Sequence, residues 1–372
     1  MSELDEFYMA RALQLAERGL YTTEPNPRVG CVLVHGGKII GEGWHRRAGE
    51  GHAEIEALAN VQSSERGLVR GATAYVTLEP CSHQGKTGPC CDALINAGVI
   101  RVVAAMQDPN PLVAGRGFER MQKAGVEVRF NVMAAQARAL NPGFIKRMAT
   151  GLPYVRIKLA MSIDGRTAMD SGESQWITGP AARRDVQQLR ARSSAIITGV
   201  GTVLLDDPSM TVRAEQLGLE RAEDIIRRQP LRVVLDTDFR TPATAKIVSG
   251  TSKTWLVGAG TMPSEAIGHA ELKVIANALG KVDLHAVLKE LGSNDCNEVL
   301  VEAGAVLSGA FLQAGLVDEL VIYMAPKLLG HTARPLMALP GMERMDEQVK
   351  LTIQDVRSVG DDWRINAIVR TT

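Results

Sequence analysis

The sequence lacks a surplus of charge of either sign: lysine plus arginine number 42, and aspartate plus glutamate also number 42. A general nucleic-acid binder carries a basic excess, because neutralising phosphates supplies much of its affinity. No nucleic-acid partner is therefore expected, although a local pocket for one phosphate stays open. Cysteine is scarce and unevenly placed. Five residues, Cys31, Cys81, Cys90, Cys91 and Cys296, form an odd, clustered set in 372 positions, unlike a disulfide framework. No apolar run is long enough to span a bilayer. The first eight residues carry Glu3, Asp5 and Glu6 where a signal peptide would be basic and then apolar. A reducing cytoplasm and no membrane partner are the expectation. Internal repeats and low-complexity segments are also missing. What is there is 45% hydrophobic and 23% charged residues, enough for real cores and too apolar for disorder.

A chain of this length suggests two domains. Helical periodicity predicts a helix over 5–18, ended by Glu24-Pro25-Asn26-Pro27. A hairpin over 30–41 turns at His35-Gly36-Gly37. Helices are predicted over 52–60, 90–97 and 116–124, and strands over 72–78, 100–106 and 126–130. Such alternation predicts a three-layer α/β domain. Turn signals at Asn141-Pro142-Gly143 and Thr150-Gly151-Leu152-Pro153 flank 144–148 and predict a junction there, with domains over 1–147 and 148–372. The second series predicts strands over 154–161, 195–198, 231–236, 253–257, 298–301, 319–324, 350–355 and 363–369. Its helices are predicted over 180–192, 284–291 and 306–314, a second α/β domain.

The chemistry concentrates in His52-Ala53-Glu54, Pro80-Cys81 and Pro89-Cys90. One imidazole and two thiolates make a zinc site with a fourth position open for water, as catalysis requires. Glu54, two residues after the histidine, is placed to shuttle a proton without ligating the metal. His-x-Glu followed by a Pro-Cys pair is the zinc-deaminase pattern, with the glutamate as general acid and base. That pattern has two residues between its cysteines, whereas Cys81 and Cys90 enclose eight. Gly85, Gly88 and Pro89 allow a tight excursion, and Lys86 within it suits an anion. A structural zinc would need a fourth protein ligand, for which His83 and Cys91 are available.

Longer motifs surround this cluster. Pro25-Asn26-Pro27-Arg28-Val29-Gly30, His52-Ala53-Glu54, Leu78-Glu79-Pro80-Cys81-Ser82-His83 and Asp108-Pro109-Asn110-Pro111 resemble the bifunctional riboflavin-biosynthesis deaminase–reductase family. That family has the long loop between its cysteines; it usually ends in two prolines, and Gly88 replaces the first here. The resemblance continues through 158–166, 172–178, 202–208, 211–213 and Val301-Glu302-Ala303-Gly304. It implies a cytidine-deaminase-like α/β/α domain followed by a dihydrofolate-reductase-like α/β domain using NADPH. It also implies two reactions, hydrolytic loss of an amine from a diaminopyrimidinone ribosylamine phosphate and then reduction of ribosyl to ribityl.

Residue by residue, the resemblance implies that Asn26, His45, Lys86, Asp108 and Asn110 bind the first substrate, beside the metal ligands His52, Cys81 and Cys90 and catalytic Glu54. Asn26 can donate and accept at a ring edge. Ser174, Arg190, Met210, Arg213 and Glu302 would bind the second substrate, and guanidinium forks suit its phosphate. Ala160, Trp176, Thr202, Asp206 and Thr237, with the run Gly304, Ala305, Val306, Leu307, Ser308, Gly309 and Ala310, would hold the cofactor. That run leads from a strand into a helix, whose N-terminus attracts phosphate. A homodimer through the reductase domain is the expected assembly. Two rival readings remain at this point. A deaminase of nucleosides or tRNA bases would leave the second half idle, and a zinc-stabilised binding module would have no use for Glu54.

Overall fold

The computed structural model describes residues 3–83, 88–111 and 113–370. The chain divides into two compact units, Met1–Gly151 and Leu152–Thr372.

The first unit runs α1 (Glu3–Glu17), β1 (Gly30–His35), β2 (Lys38–Trp44), α2 (Ala53–Ala59), β3 (Thr73–Val76), α3 (Cys90–Ala97), β4 (Arg101–Ala104), α4 (Arg116–Lys123), β5 (Glu127–Arg129), α5 (Ala134–Leu140) and α6 (Pro142–Thr150). Its strands form one sheet in the order β2-β1-β3-β4-β5, antiparallel up to β3 and parallel beyond. Side chains alternate along each strand, so β1 sends Cys31 and Leu33 to one face and Val32 and Val34 to the other. The first face packs on Ala53, Ala57, Leu94 and Met121 of α2, α3 and α4. The second packs on Met9, Ala12, Leu13 and Ala137 of α1 and α5. This is the three-layer α/β/α arrangement that the alternation predicts.

Two glycines bring the helices close to the sheet. A Cβ on Gly43 of β2 would lie 2.3 Å from the Ala57 nitrogen, so α2 lies directly on the strand. A Cβ on Gly30 of β1 would meet the Ala12 carbonyl oxygen at 2.0 Å. The segment 144–148, expected to mark the junction, forms part of helix α6, which ends beside the division between the two units. Its flanking signals are the ends of that helix: Pro142 occupies the first turn, where no amide is needed, and Gly151 caps the end with φ 74°.

The second unit runs β6 (Tyr154–Ser162), β7 (Arg166–Ala168), α7 (Pro180–Arg192), β8 (Ala195–Gly199), α8 (Val200–Asp206), α9 (Ala214–Leu217), α10 (Ala222–Ile225), β9 (Leu231–Leu235), β10 (Thr254–Gly258), β11 (Glu271–Val274), α11 (Leu284–Ser293), β12 (Glu298–Val301), α12 (Ala305–Gln313), β13 (Glu319–Ala325), β14 (Arg334–Pro335), β15 (Leu351–Val359) and β16 (Asp362–Val369). Nine strands make one sheet, β11-β10-β9-β8-β12-β6-β13-β16-β15, while β14 and β7 pair separately. It is parallel from β11 to β13 and closes with the antiparallel β16 and β15. Central strands buried on both faces read as continuous apolar runs, as in Val299, Leu300 and Val301. One face packs on α11 and α12 through Leu288, Leu291 and Phe311, the other on α7 and α8 through Val186, Leu189 and Val203.

Candidate active sites

In the first unit, the N-termini of two helices meet the end of a strand. His52 is the N-cap of α2, Cys90 is the first residue of α3, and Cys81 follows the loop after β3. The Nδ1 of His52 lies 3.3 Å from Cys90 Sγ and 3.6 Å from Cys81 Sγ. The three ligand atoms all fall within 4.8 Å of one another. The backbone N–H of Cys90 donates to Cys81 Sγ at 3.3 Å, a helix-start amide turned to a sulfur that must carry negative charge. Hydrogen bonds from Cys90 and His52 hold the Cys81 thiol down at about 4. The same contact and burial push the Cys90 thiol up. His52 is shifted upward, chiefly by its bond with Cys81.

This donor set suits zinc: one imidazole nitrogen and two thiolates at the corners of a small site. The two further residues that could close the shell do not enter the cluster. Cys91 is buried with its Sγ 3.7 Å from Asp92 Oδ1, its thiol pushed up to about 11 by burial, and His83 is exposed.

Glu54 sits in the first turn of α2, 3% exposed. Burial, and then the charge of Cys81, push its carboxyl up to about 7. A group poised there suits proton transfer at neutral pH. His45 stands edge-on to His52, with ring centroids 5.3 Å apart. Its Nδ1 lies 3.0 Å from the Gly51 carbonyl oxygen and so carries the proton. Nε2 therefore accepts from Asn26 Nδ2 at 3.1 Å, and burial lowers the ring's basicity. Asn26, His45, His52 and Glu54 are thus one contiguous group. Asp108 is buried, its Oδ1 accepting from the Asn110 N–H at 2.8 Å. Burial pushes its carboxyl up to about 6, with the Asn110 amide opposing. Lys86 lies outside the described residues.

In the second unit, the residues expected to bind ligands gather at the carboxyl ends of the parallel strands, the usual crevice of an open α/β sheet. Ala160 is near the end of β6, Thr202 and Asp206 are on α8 after β8, Thr237 follows β9, and Glu302 follows β12. Arg190 of α7 reaches Glu302 with two hydrogen bonds and contacts Met210 Sδ at 3.5 Å. Burial opposes ionisation of Glu302, but Arg190 outweighs it and holds the carboxylate below its ordinary range. Arg213 donates to Ser209 Oγ at 3.1 Å, Ser174 is half-buried, and exposed Trp176 stacks under Arg183. Gln175 Nε2 lies 3.5 Å from Asp206 Oδ1, which ties the segment carrying Ser174 and Trp176 to α8. The carbonyl of Thr237 accepts from the amides of Ala259 and Gly260.

Gly304 is the N-cap of α12 and supplies no side-chain cap, and a Cβ there would meet open space. An uncapped helix start of this kind fits a cofactor phosphate. Leu307 and Ala310 are half-buried. Ser308 is buried, donating to the Ala303 carbonyl, and a Cβ on Gly309 would lie 2.0 Å from the Ala338 oxygen. Gly304 and Val306 are therefore the exposed part of that run, with half-buried Ala305 between them.

Two residues escaped the sequence reading of these sites. Lys158 on β6 is partly buried, with burial lowering its affinity for a proton and Glu302 raising it. A lysine inside the otherwise apolar Ile157 to Met161 was the available signal. Glu79 is the other, and only its contacts reveal it.

The fold and clusters define a two-part enzyme, a zinc-type deaminase followed by an α/β reductase. Two family models match: the cytidine and deoxycytidylate deaminase zinc-binding region over residues 2–106, and the RibD C-terminal domain over 153–365. The riboflavin biosynthesis protein RibD of Escherichia coli (strain K12) is 53% identical over 362 residues, 96% of this chain and 97% of that protein. RibD of Haemophilus influenzae is 48% identical over 368 residues, 98% of this chain and 97% of that protein. Among solved structures, form 1 of Acinetobacter baumannii RibD matches with a TM-score of 0.89 and 44% identity, covering 99% of each chain. The chain belongs to the RibD family of bifunctional riboflavin-biosynthesis enzymes, and is both a deaminase and a reductase.

Proposed function

We propose that the first unit deaminates a 2,5-diamino-6-ribosylamino-pyrimidinone 5′-phosphate and that the second then reduces its ribosyl group to ribityl with NADPH. A Thermotoga maritima structure described as a diaminohydroxyphosphoribosylaminopyrimidine deaminase/5-amino-6-(5-phosphoribosylamino)uracil reductase supports this pair of substrates. It matches with a TM-score of 0.86 and 31% identity over 99% of each chain. The observation that carries the deaminase reading is the buried Glu54 carboxyl beside a two-thiol, one-imidazole cluster. His52, Cys81 and Cys90 would hold one zinc ion, which would supply Lewis acidity at the reacting centre. Glu54 takes the proton of the attacking water and passes it to the departing amine, which leaves as ammonia while the ring carbon becomes a carbonyl. Asn26, held by His45, presents amide groups to the ring edge, and Asp108 and Asn110 bind the polar substituents. Lys86 belongs to the same proposal as a phosphate partner.

In the second unit NADPH supplies the hydride. Gly304, Ala305 and Val306 bind its phosphates at the helix start, with Ala160, Trp176, Thr202, Asp206 and Thr237 around it. Arg190, Glu302, Met210, Ser174 and Arg213 hold the sugar phosphate. A homodimer through this unit is part of the proposal. Its nine-residue edge strand β15 presents Leu351, Ile353 and Val356 outward, an edge that proteins ordinarily cover. The thiols of a zinc site favour a reducing compartment, so the cytoplasm is the proposed location. The balanced charge speaks against a nucleic-acid partner. Among the described residues no helix is long and apolar enough to cross a membrane.

The test follows NADPH oxidation on the diamino compound and on its pre-deaminated product, with Glu54→Gln as control. The variant should oxidise NADPH only on the pre-deaminated compound. Equal oxidation on both would refute the order of reactions.

A further inference from the structure

Glu79 lies two residues before Cys81, and its side chain is 3% exposed. A buried carboxylate is costly unless its oxygens are hydrogen-bonded. Here the donors are all main-chain. Oε2 accepts from the amides of Asp108 at 3.2 Å and Gly115 at 2.9 Å, while Oε1 accepts from Gly117 at 2.9 Å and Phe118 at 3.4 Å. Gly115 is the N-cap of α4, which has no side-chain cap of its own, and Gly117 and Phe118 lie in its first turn. A carboxylate from another element thus satisfies the orphan amides of that helix and meets its positive end.

The remaining donor, Asp108, begins the same segment, and its carboxylate in turn orders the Asn110 amide. Packing leaves no slack at the far end. A Cβ on Gly117 would lie 2.2 Å from the Pro80 carbonyl oxygen, and Gly115 holds φ 79°. One carboxylate therefore ties both ends of the segment from Asp108 to Phe118 to the stretch of chain that carries Cys81.

We propose that Glu79 is a positioning residue of the deaminase: by clamping this segment it places Asp108 and Asn110 beside the metal cluster and so sets the KM for the pyrimidine. It does this without touching substrate or metal. The proposal rests on the reading of Asp108 and Asn110 as substrate contacts, so the test separates the two.

Glu79→Gln keeps the shape but turns one acceptor oxygen into a donor that opposes the amides. The zinc-loaded full chain carrying Glu79→Gln is compared with Asp108→Ala for zinc content, deamination kcat and KM, and reduction of the pre-deaminated substrate. Glu79→Gln should raise KM about tenfold with kcat changed less than about threefold, the mark of lost binding rather than lost chemistry. Zinc content and reductase rate should match wild type, and Asp108→Ala should also raise KM. In Glu79→Gln the amides of Gly115 and Gly117 should exchange faster while those of β4 keep their protection. If Glu79→Gln does not fold, Glu79→Asp, whose carboxylate is withdrawn by one methylene, should show the same KM rise. An unchanged KM in a folded Glu79 variant, with Asp108→Ala raised, overturns the proposal. So does joint loss of zinc and kcat at unchanged KM, which marks a merely structural tie. If neither variant raises KM, the substrate-contact reading of Asp108 falls, and the positioning role with it.

Discussion

Arg190 meets Glu302 through two arms of one guanidinium, Nε donating at 2.6 Å and Nη2 at 2.9 Å, across 112 positions of sequence. Both side chains are largely buried, so the pair is poorly screened by solvent. A lysine could keep the charge but not the planar fork. Arg190→Lys should lower reductase kcat/KM by about tenfold or more, through loss of a charge-assisted pair. Deamination should continue at the wild-type rate. Equal loss of both activities would point to a folding defect instead.

Glu54→Gln removes the proton carrier and leaves the three ligands in place. Deamination should fall by about 10²- to 10⁴-fold, the usual contribution of a general acid–base group. Zinc content, measured by atomic absorption on the purified variant, should not change. A variant that loses its metal would make Glu54 a structural support of the ligands.

Removing zinc with a chelator should stop deamination and spare reduction of the pre-deaminated substrate, and added zinc should restore the first activity. Circular dichroism should be nearly unchanged, because α2 and α3 are anchored by Ala57 and Leu94 in an apolar core independent of the metal. Cooperative unfolding of the first unit on chelation would instead make the zinc structural.

Asp5, in the first turn of α1, is buried and accepts from Arg101 Nη1 and Nη2, Arg129 Nη1 and the Tyr75 hydroxyl. The Arg101 hydrogen bond, opposed by burial, holds its carboxyl below the ordinary 3.8. A lowered folded-state value means that its stabilisation is fully present above the unfolded-state value. It is lost as pH falls through the folded one. Asp5→Asn should cost about 2 kcal/mol at pH 7, below the usual range for a broken buried pair because the arginines are partly exposed. In calorimetry the gap in Tm between wild type and variant should close as pH drops below about 4, where the unfolded carboxyl protonates. A gap that stays constant to the most acid pH would refute the ionic origin.

The two sites were legible in the sequence to different depths. The proposed metal ligands His52, Cys81 and Cys90, with Glu54 beside them, stood out because ligand chemistry permits few residue types and these come in short, typed motifs. Continuous apolar stretches such as Gly30 to Val34 showed their strands, since burial on both faces calls for an apolar residue at each position. The short edge strand Glu271–Val274 and the small pair Arg166–Ala168 with Arg334–Pro335 were not legible, because few apolar positions mark them. That 144–148 is helical was not legible, because proline and glycine signal a helix end as readily as a loop.

By itself, then, the sequence determined the donor atoms, the alternation of strands and helices, and the order of the two activities along the chain. Tertiary structure alone decided what those atoms experience. Hydrogen bonds from Cys90 and His52 hold the Cys81 thiol down against burial, while burial and then the Cys81 charge push the Glu54 carboxyl up to about 7. Burial lowered the proton affinity of Lys158 against the charge of Glu302, and Glu79 became a clamp on four distant amides. The reason is physical: residue type fixes which proton or bond is available, whereas its free energy depends on solvent exclusion and on charges brought near only by folding.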